Sequence, residues 1–214
     1  MTIETTEIIR RKLETALNEV SKSIGKIQIG TTSQFPYGWR KAAKGRTVWR
    51  ILEEAITQNL EKRFKEFGFD EVNAADSEVG VYDFSGKFSG IDSSFHVNIK
   101  SAVVGGRTNK DDISKAIRLI EFFEKIPNNK LFIASFLIRF GDDMSVTIDK
   151  AIVMPTAWLP DIYVNPSNNG NLQSSKYKLL DLAVKRTNEE FIYELRDEIE
   201  VARNKKEAKR KKST

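Results

Sequence analysis

Apolar residues recur at the spacing of a helix in four parts of the chain. Over residues 3–24 they share one face, which predicts an amphipathic helix. Residues 46–67 repeat that pattern, and Gly68 suits the end of this second helix. Residues 111–123 open with two acidic residues, which favour a helix start. A last helix is predicted from about Asn188 into the C-terminal tail.

Strand patterns account for most of the remaining apolar positions. Residues 78–104 predict a hairpin or a pair of strands, with 89–94 as the turn. The apolar run 131–140 predicts a buried strand, and 144–154 predicts its partner. The order helix, helix, strands, helix, strands, helix is typical of an α/β (α+β) fold, in which helices flank a central mixed β-sheet.

Length and composition indicate one domain. The chain has 214 residues, of which 40% are apolar and 30% charged, and this length allows one sizeable core. We expect a single domain over 1–214, with an N-terminal helical segment at about 1–45 and a basic C-terminal tail at about 203–214. The lack of cysteine excludes disulfides and cysteine metal sites. The opening residues are unlike a signal peptide and the longest apolar run is too short to span a membrane, so we expect a cytoplasmic location.

Positive charge is concentrated at the C-terminus. Residues 203–212 carry seven basic residues and one acidic residue, and subtracting their +6 from the chain's +5 leaves about −1 elsewhere. The body is therefore not a uniformly basic nucleic-acid binder. The tail itself suits either contact with phosphate backbones or a solvated helix end.

One strand pattern raises a question about chemistry. Alternation over 95–103 puts Phe95, Val97 and Ile99 on one face, and His96, Asn98 and Lys100 on the other. Burying a lysine is costly, so Lys100 is expected to face water, a cleft or a bound anion. For His96, packing on the strand face is favoured over catalysis.

Two acidic residues are placed to share the Lys100 face. A hairpin brings Asp83 beside Asn98 and Lys100, and Glu53 flanks the apolar stripe of the second helix. This helix–strand–strand–helix order resembles the PD-(D/E)XK nuclease superfamily over about residues 45–175. More narrowly, the stretches HVNIKSA and NPSNNGNLQS resemble type II restriction endonucleases.

The resemblance implies a restriction-endonuclease-like fold and a sequence-specific, Mg²⁺-dependent double-stranded DNA endonuclease of a restriction–modification system. Asp83, Asn98, Lys100 and Glu53 would form the catalytic set. Asp83, Glu53 and the main-chain carbonyl of Ile99 would hold Mg²⁺. Lys100 would orient and help to deprotonate the attacking water and offset charge in the transition state.

The sequence departs from the superfamily pattern at two places. No proline precedes Asp83, and Asn98 replaces the second acid. An amide oxygen can still ligate Mg²⁺ but brings no charge, so Glu53 would have to compensate. Asp92 in the predicted turn competes with Asp83 as first metal ligand, and a solvated helix face is an equal interpretation of Glu53.

Contacts with DNA are assigned to two loops. Asparagine and glutamine can pair with adenine edges, although an amide-rich segment also suits a plain turn. The candidates for base contacts are Asn165, Asn168, Asn169, Asn171 and Gln173. A basic loop suits phosphate contacts, through Arg40, Lys41, Lys44 and Arg46.

Palindromic DNA sites are matched by two-fold protein symmetry, so the resemblance implies a homodimer. A monomer that cuts one strand at a time is the alternative. Two other functions stay open. One is a structure-specific repair or recombination nuclease of the same fold, and the other is a non-catalytic DNA-binding module with a degenerate site.

Overall fold

The computed structural model describes residues 2–40, 44–75, 80–106, 110–126, 128–167 and 170–211, without the side chains of 44–47. Helices α1 to α4 span Ile3–Ile24, Lys44–Arg63, Ala116–Lys125 and Asn188–Lys211. Strands β1 to β9 span Lys26–Gln28, Phe69–Ala74, Phe84–Phe88, Ser94–Val103, Asp111–Lys115, Leu131–Phe140, Ser145–Pro155, Tyr163–Val164 and Asn171–Ser174. Short 3₁₀ turns occupy Phe64–Phe67, Thr156–Trp158 and Leu180–Leu182.

A six-stranded mixed sheet in the order β1-β7-β6-β4-β3-β2 forms the centre of the fold. β4 and β6 are parallel, and the other neighbours are antiparallel. A parallel pair needs a crossover, which β5 and α3 supply between these two strands. A second, antiparallel sheet has the order β5-β9-β8. The predicted fold class, α/β (α+β) with a central mixed sheet and flanking helices, is confirmed.

The alternation predicted for β4 divides its side chains between two cores. Phe95, Val97 and Ile99 pack in one apolar cluster with residues of α1 and α2. His96 on the opposite face has its ring 4.6 Å from that of Tyr82 and 5.0 Å from that of Phe122 in α3. One face of the sheet is thus covered by α1 and α2, and the other by α3, α4 and the second sheet.

Side chains of α1 complete the outer edge of β7. β1 pairs only with residues 145–147 of that strand. Further along, Asn18 Nδ2 donates to the Ala151 carbonyl at 3.0 Å, and the Ala151 amide donates back to Asn18 Oδ1 at 3.0 Å. The Val153 amide donates to Glu14 Oε2 at 2.9 Å. Because an open strand edge exposes unpaired backbone groups, these contacts both fix α1 and cover the edge.

The long elements match the sequence predictions, whereas two short segments were assigned to the wrong structure and the short strands β1, β2 and β8 were not predicted. α1, β6 and the start of α4 lie where they were expected, and Gly68 ends the 46–67 segment in the left-handed conformation, at φ 80°. Residues 111–115 form β5, so the predicted third helix begins only at Ala116. Part of the predicted loop 165–175 forms β9, and pairing between β5 and β9 explains both corrections.

Within the described ranges, no helix is both long and apolar enough to cross a membrane.

Candidate active site

The candidate site lies where β3 ends and β4 continues. The β3–β4 ladder reaches Phe84 opposite Val97, and the Asp83 amide adds one more bond to the Val97 carbonyl at 2.7 Å. β4 runs on to Val103. Asp83 fills the next ladder position with its side chain, since the Ile99 amide donates to Asp83 Oδ2 at 2.5 Å. The Asp83 carboxylate is therefore fixed at the edge of β4, just beyond its last pair with β3.

The main-chain carbonyl of Ile99 faces that same edge. In an extended strand the N–H and C=O groups of one residue point to the same side. Because the Ile99 N–H points at Asp83, its carbonyl oxygen lies on the side of the strand where the carboxylate stands. A carboxylate and a backbone carbonyl are both oxygen donors of the kind that Mg²⁺ binds.

Glu53 brings a second carboxylate to this edge from α2. Its side chain is only 16% exposed, and Oε2 is buried without a hydrogen-bond donor among the described residues. Burial, and next the negative charge of Asp83, raise the pKa of Glu53 to about 7. Burial also raises the pKa of Asp83, against the Ile99 amide and the Lys100 ammonium, which lower it. Two facing carboxylates of this kind are stabilised by a shared proton or a cation.

The Lys100 ammonium interacts electrostatically with both carboxylates and with two further aspartates, Asp111 and Asp112. Burial lowers the pKa of Lys100, while the charges of Asp83, Asp111, Glu53 and Asp112 act to raise it. The charges of Asp83, Glu53 and the two aspartates of β5 therefore all act on this ammonium. Residues 111 and 112 were expected at a helix start, and their sequence pattern does not indicate an interaction with Lys100.

The second sheet holds those two aspartates in place. The Tyr177 hydroxyl donates to Asp111 Oδ2 at 2.5 Å. The Gln173 amide donates to Asp112 Oδ1 at 2.6 Å. Since Tyr177 is fully buried, the position of Asp111 depends on the core of this second layer.

Asn98 has a structural set of contacts. It is buried, and its Nδ2 donates to the carbonyls of Val81 at 3.0 Å and Ile113 at 3.4 Å. These bonds tie the segment before β3 to β5. Its Oδ1 is buried and has no partner within the described part of the chain. The carboxylate that stands beside Asp83 comes from Glu53 in the helix, and not from position 98.

Asp92 lies elsewhere, in the turn between β3 and β4. Its side chain is fully exposed and Oδ1 accepts from Lys87 Nζ at 3.0 Å. The geometry therefore favours Asp83 over Asp92 as the acid that accompanies Lys100.

The predicted base-contacting residues are partly engaged within the protein. Asn165 Nδ2 donates to Gln173 Oε1 at 3.1 Å, and Asn165 Oδ1 accepts from the Ser167 amide at 2.9 Å. Asn171 lies in β9, with Oδ1 buried and unpartnered among the residues that the structure describes. The remaining two candidates, Asn168 and Asn169, lie outside the described residues.

The predicted basic loop is divided between a loop and a helix. Arg40 lies before α2, and its guanidinium is 4.0 Å from the ring centroid of Tyr37. Lys44 and Arg46 belong to the first turn of α2, so their placement in a loop was wrong. Lys41 lies outside the described residues.

The comparison with known proteins does not identify a function for this chain. Neither the protein-family models nor the curated proteins give a match to this chain. Among the described residues, no three or more His, Cys, Asp or Glu side chains lie together so as to hold a metal ion. The donor set at the β4 edge consists of two carboxylates and one main-chain carbonyl.

Proposed function

We propose that the protein is a type II restriction endonuclease of the PD-(D/E)XK superfamily, which hydrolyses phosphodiester bonds in double-stranded DNA with Mg²⁺ as part of a restriction–modification system. The observation that carries the proposal is the facing pair Asp83 and Glu53 at the β4 edge, with the Lys100 ammonium in the same field. A homodimer acting on a palindromic site, in the cytoplasm, completes the proposal.

The donors at this edge fit a divalent cation. Glu53 Oε2 is buried and unpartnered among the described residues, and the neighbouring charge of Asp83 disfavours its ionised form. Asp83, Glu53 and the Ile99 carbonyl would hold the ion through oxygen atoms, as Mg²⁺ requires. When bound, Mg²⁺ supplies charge neutralisation at a phosphate and lowers the pKa of water.

Lys100 supplies a fixed positive charge for the same reaction. Its ammonium carries three donors on a compact charge, so it can orient a water molecule and offset negative charge that develops on the phosphate. The charges of the nearby carboxylates favour the protonated form of this lysine, against its burial. Placing this donor before the substrate arrives avoids reorganisation during the reaction.

Incubation of the purified protein with unmethylated plasmid and Mg²⁺ tests the proposal. Wild type should give discrete fragments, and both Lys100→Ala and Asp83→Asn should lower the rate by about 10²-fold or more. Lys87→Ala is the matched control, because Lys87 is a partly exposed lysine of β3 that pairs with Asp92. It should cut at the wild-type rate.

Different outcomes separate the proposed activity from its alternatives. Specific binding of duplex in Ca²⁺ or Mg²⁺ with no product would indicate a DNA-binding module with a degenerate site. Preferential cutting of branched over linear DNA would indicate a structure-specific nuclease. Failure to cut or bind any DNA of varied sequence would refute all three.

A further inference from the structure

An aromatic–arginine pair lies on α2 directly beside Glu53. Trp49 and Arg50 precede Glu53 by four and three residues, so all three share one side of the helix. The Arg50 guanidinium is 4.0 Å from the Trp49 ring centroid. The side chain of Arg50 is 52% exposed, and Trp49 is 38% exposed. The pair is therefore partly exposed on α2 next to Glu53.

The contact between Arg50 and Glu53 is long. Its Nη1 is 3.5 Å from Glu53 Oε1, whereas a strong charge-assisted bond between such groups is about 2.7–2.9 Å long. The charge of Arg50 also acts on Asp83, because it opposes the rise in the pKa of both carboxyl groups. A guanidinium that is oriented by an aromatic ring and half open to solvent suits bidentate contact with a phosphate.

We propose that Arg50, stacked on Trp49, binds a backbone phosphate of the nucleic acid at the mouth of the site and leaves Glu53 when it does so. The inference rests on the proposed function and adds a substrate-binding residue to it. A guanidinium on Glu53 opposes a cation at the same carboxylate. Movement of Arg50 to a phosphate removes that opposition, so DNA binding and divalent-cation binding strengthen each other, in both directions by the same factor.

DNA binding without metal tests the phosphate contact. Anisotropy of a fluorescein-labelled duplex of random sequence is measured in EDTA over a series of salt concentrations. Arg50→Ala should weaken binding about tenfold and reduce the slope of log K against log salt by about 1. Arg50→Lys keeps the positive charge but loses the paired N–H groups that bind a phosphate in bidentate fashion. It should therefore keep the slope of log K against log salt and lose part of the affinity.

The same helix provides a matched control. Arg63 pairs with Glu66 three residues on, and its guanidinium is 5.1 Å from the Phe67 ring centroid. Arg63→Ala therefore removes a helix ion pair and an aromatic contact of the same kind, but beyond the site. Its affinity for the duplex and its salt slope should equal those of wild type.

Calorimetric titration with Ca²⁺ tests the release of Glu53. Without DNA, Arg50→Ala should bind Ca²⁺ several-fold more tightly than wild type. Adding the duplex should strengthen Ca²⁺ binding in wild type, and much less in Arg50→Ala.

The outcomes distinguish this inference from the function on which it rests. If wild type cuts and binds DNA but Arg50→Ala binds it with the affinity and slope of Arg63→Ala, the phosphate contact is refuted and the nuclease stands. If Ca²⁺ affinity is unchanged in Arg50→Ala, the release of Glu53 is refuted. If wild type neither binds nor cuts DNA, the proposed function fails and the inference fails with it.

Discussion

Replacing Glu53 by glutamine should stabilise the protein while it removes the divalent-cation site. The folded chain holds this carboxyl group against Asp83 and away from water, and both effects penalise its ionised form. Glutamine has nearly the same shape and no charge. The substitution therefore removes the repulsion between the Glu53 and Asp83 carboxylates, which exists only in the folded state. It also removes the ion pair with the exposed Arg50, which contributes little to stability.

The magnitude follows from the pKa of Glu53. A rise from 4.5 in the unfolded chain to about 7 in the folded one corresponds to about 3 kcal/mol, at about 1.36 kcal/mol per pH unit. Solvent near the half-exposed Arg50 screens part of this, so we expect Glu53→Gln to gain about 1–2 kcal/mol at pH 8 without metal. In wild type, the folded state holds the Glu53 proton more tightly than the unfolded state does. The stability that this proton contributes to wild type is present below pH 4.5 and is lost as pH rises to about 7.

Urea denaturation followed by circular dichroism at several pH values measures both effects. In EDTA, the free energy of unfolding of wild type should fall between pH 4.5 and 7 more steeply than that of Glu53→Gln. Added Mg²⁺ should stabilise wild type at pH 8 and leave Glu53→Gln unchanged. Glu66→Gln is the control, because its exposed carboxylate pairs with Arg63, which lowers its pKa. Equal stability of Glu53→Gln and wild type at pH 8 in EDTA would refute the reasoning.

Two further substitutions test other parts of the structure. Asp92→Asn should leave plasmid cleavage at the wild-type rate, because Asp92 is exposed and paired with Lys87; a loss as large as that of Asp83→Asn would contradict the site. Asn18→Ala should lower the free energy of unfolding by about 1–3 kcal/mol, because it leaves both backbone groups of Ala151 unpaired. Asn59→Ala, which removes one bond within α2, should cost much less in the same urea titration.

Strong periodicity made the long elements predictable. The 22 residues of α1 carry enough apolar positions to define a helical period, and the ten of β6 form a continuous apolar run that marks a buried strand. The short strands lack that information. Asp111 and Asp112 precede an apolar run, as in many helix starts, and only their pairing with β9 makes them a strand. Local patterns do not encode a partner that lies about sixty residues away.

The same limit explains which site residues could be found in the sequence. Asp83 and Lys100 lie on adjoining arms of one hairpin, so their proximity follows from local topology. Glu53 could be placed on the correct side of α2 by its position beside the apolar stripe. The contributions of Arg50, Asp111 and Asp112 depend on how α2 and the second sheet dock onto the first, which no short motif records.

Acidic residues from both layers of the protein act on the Lys100 ammonium. The charges of Asp83 and Glu53 at the edge of β4, and those of the two aspartates of β5, all favour its protonated form. Those aspartates are held by Tyr177 and Gln173, beside β9 and within it. The contributing residues range from position 53 to position 177 and come from α2, from both sheets and from the segment after β9. We therefore expect this arrangement of charges to form only when both layers are packed.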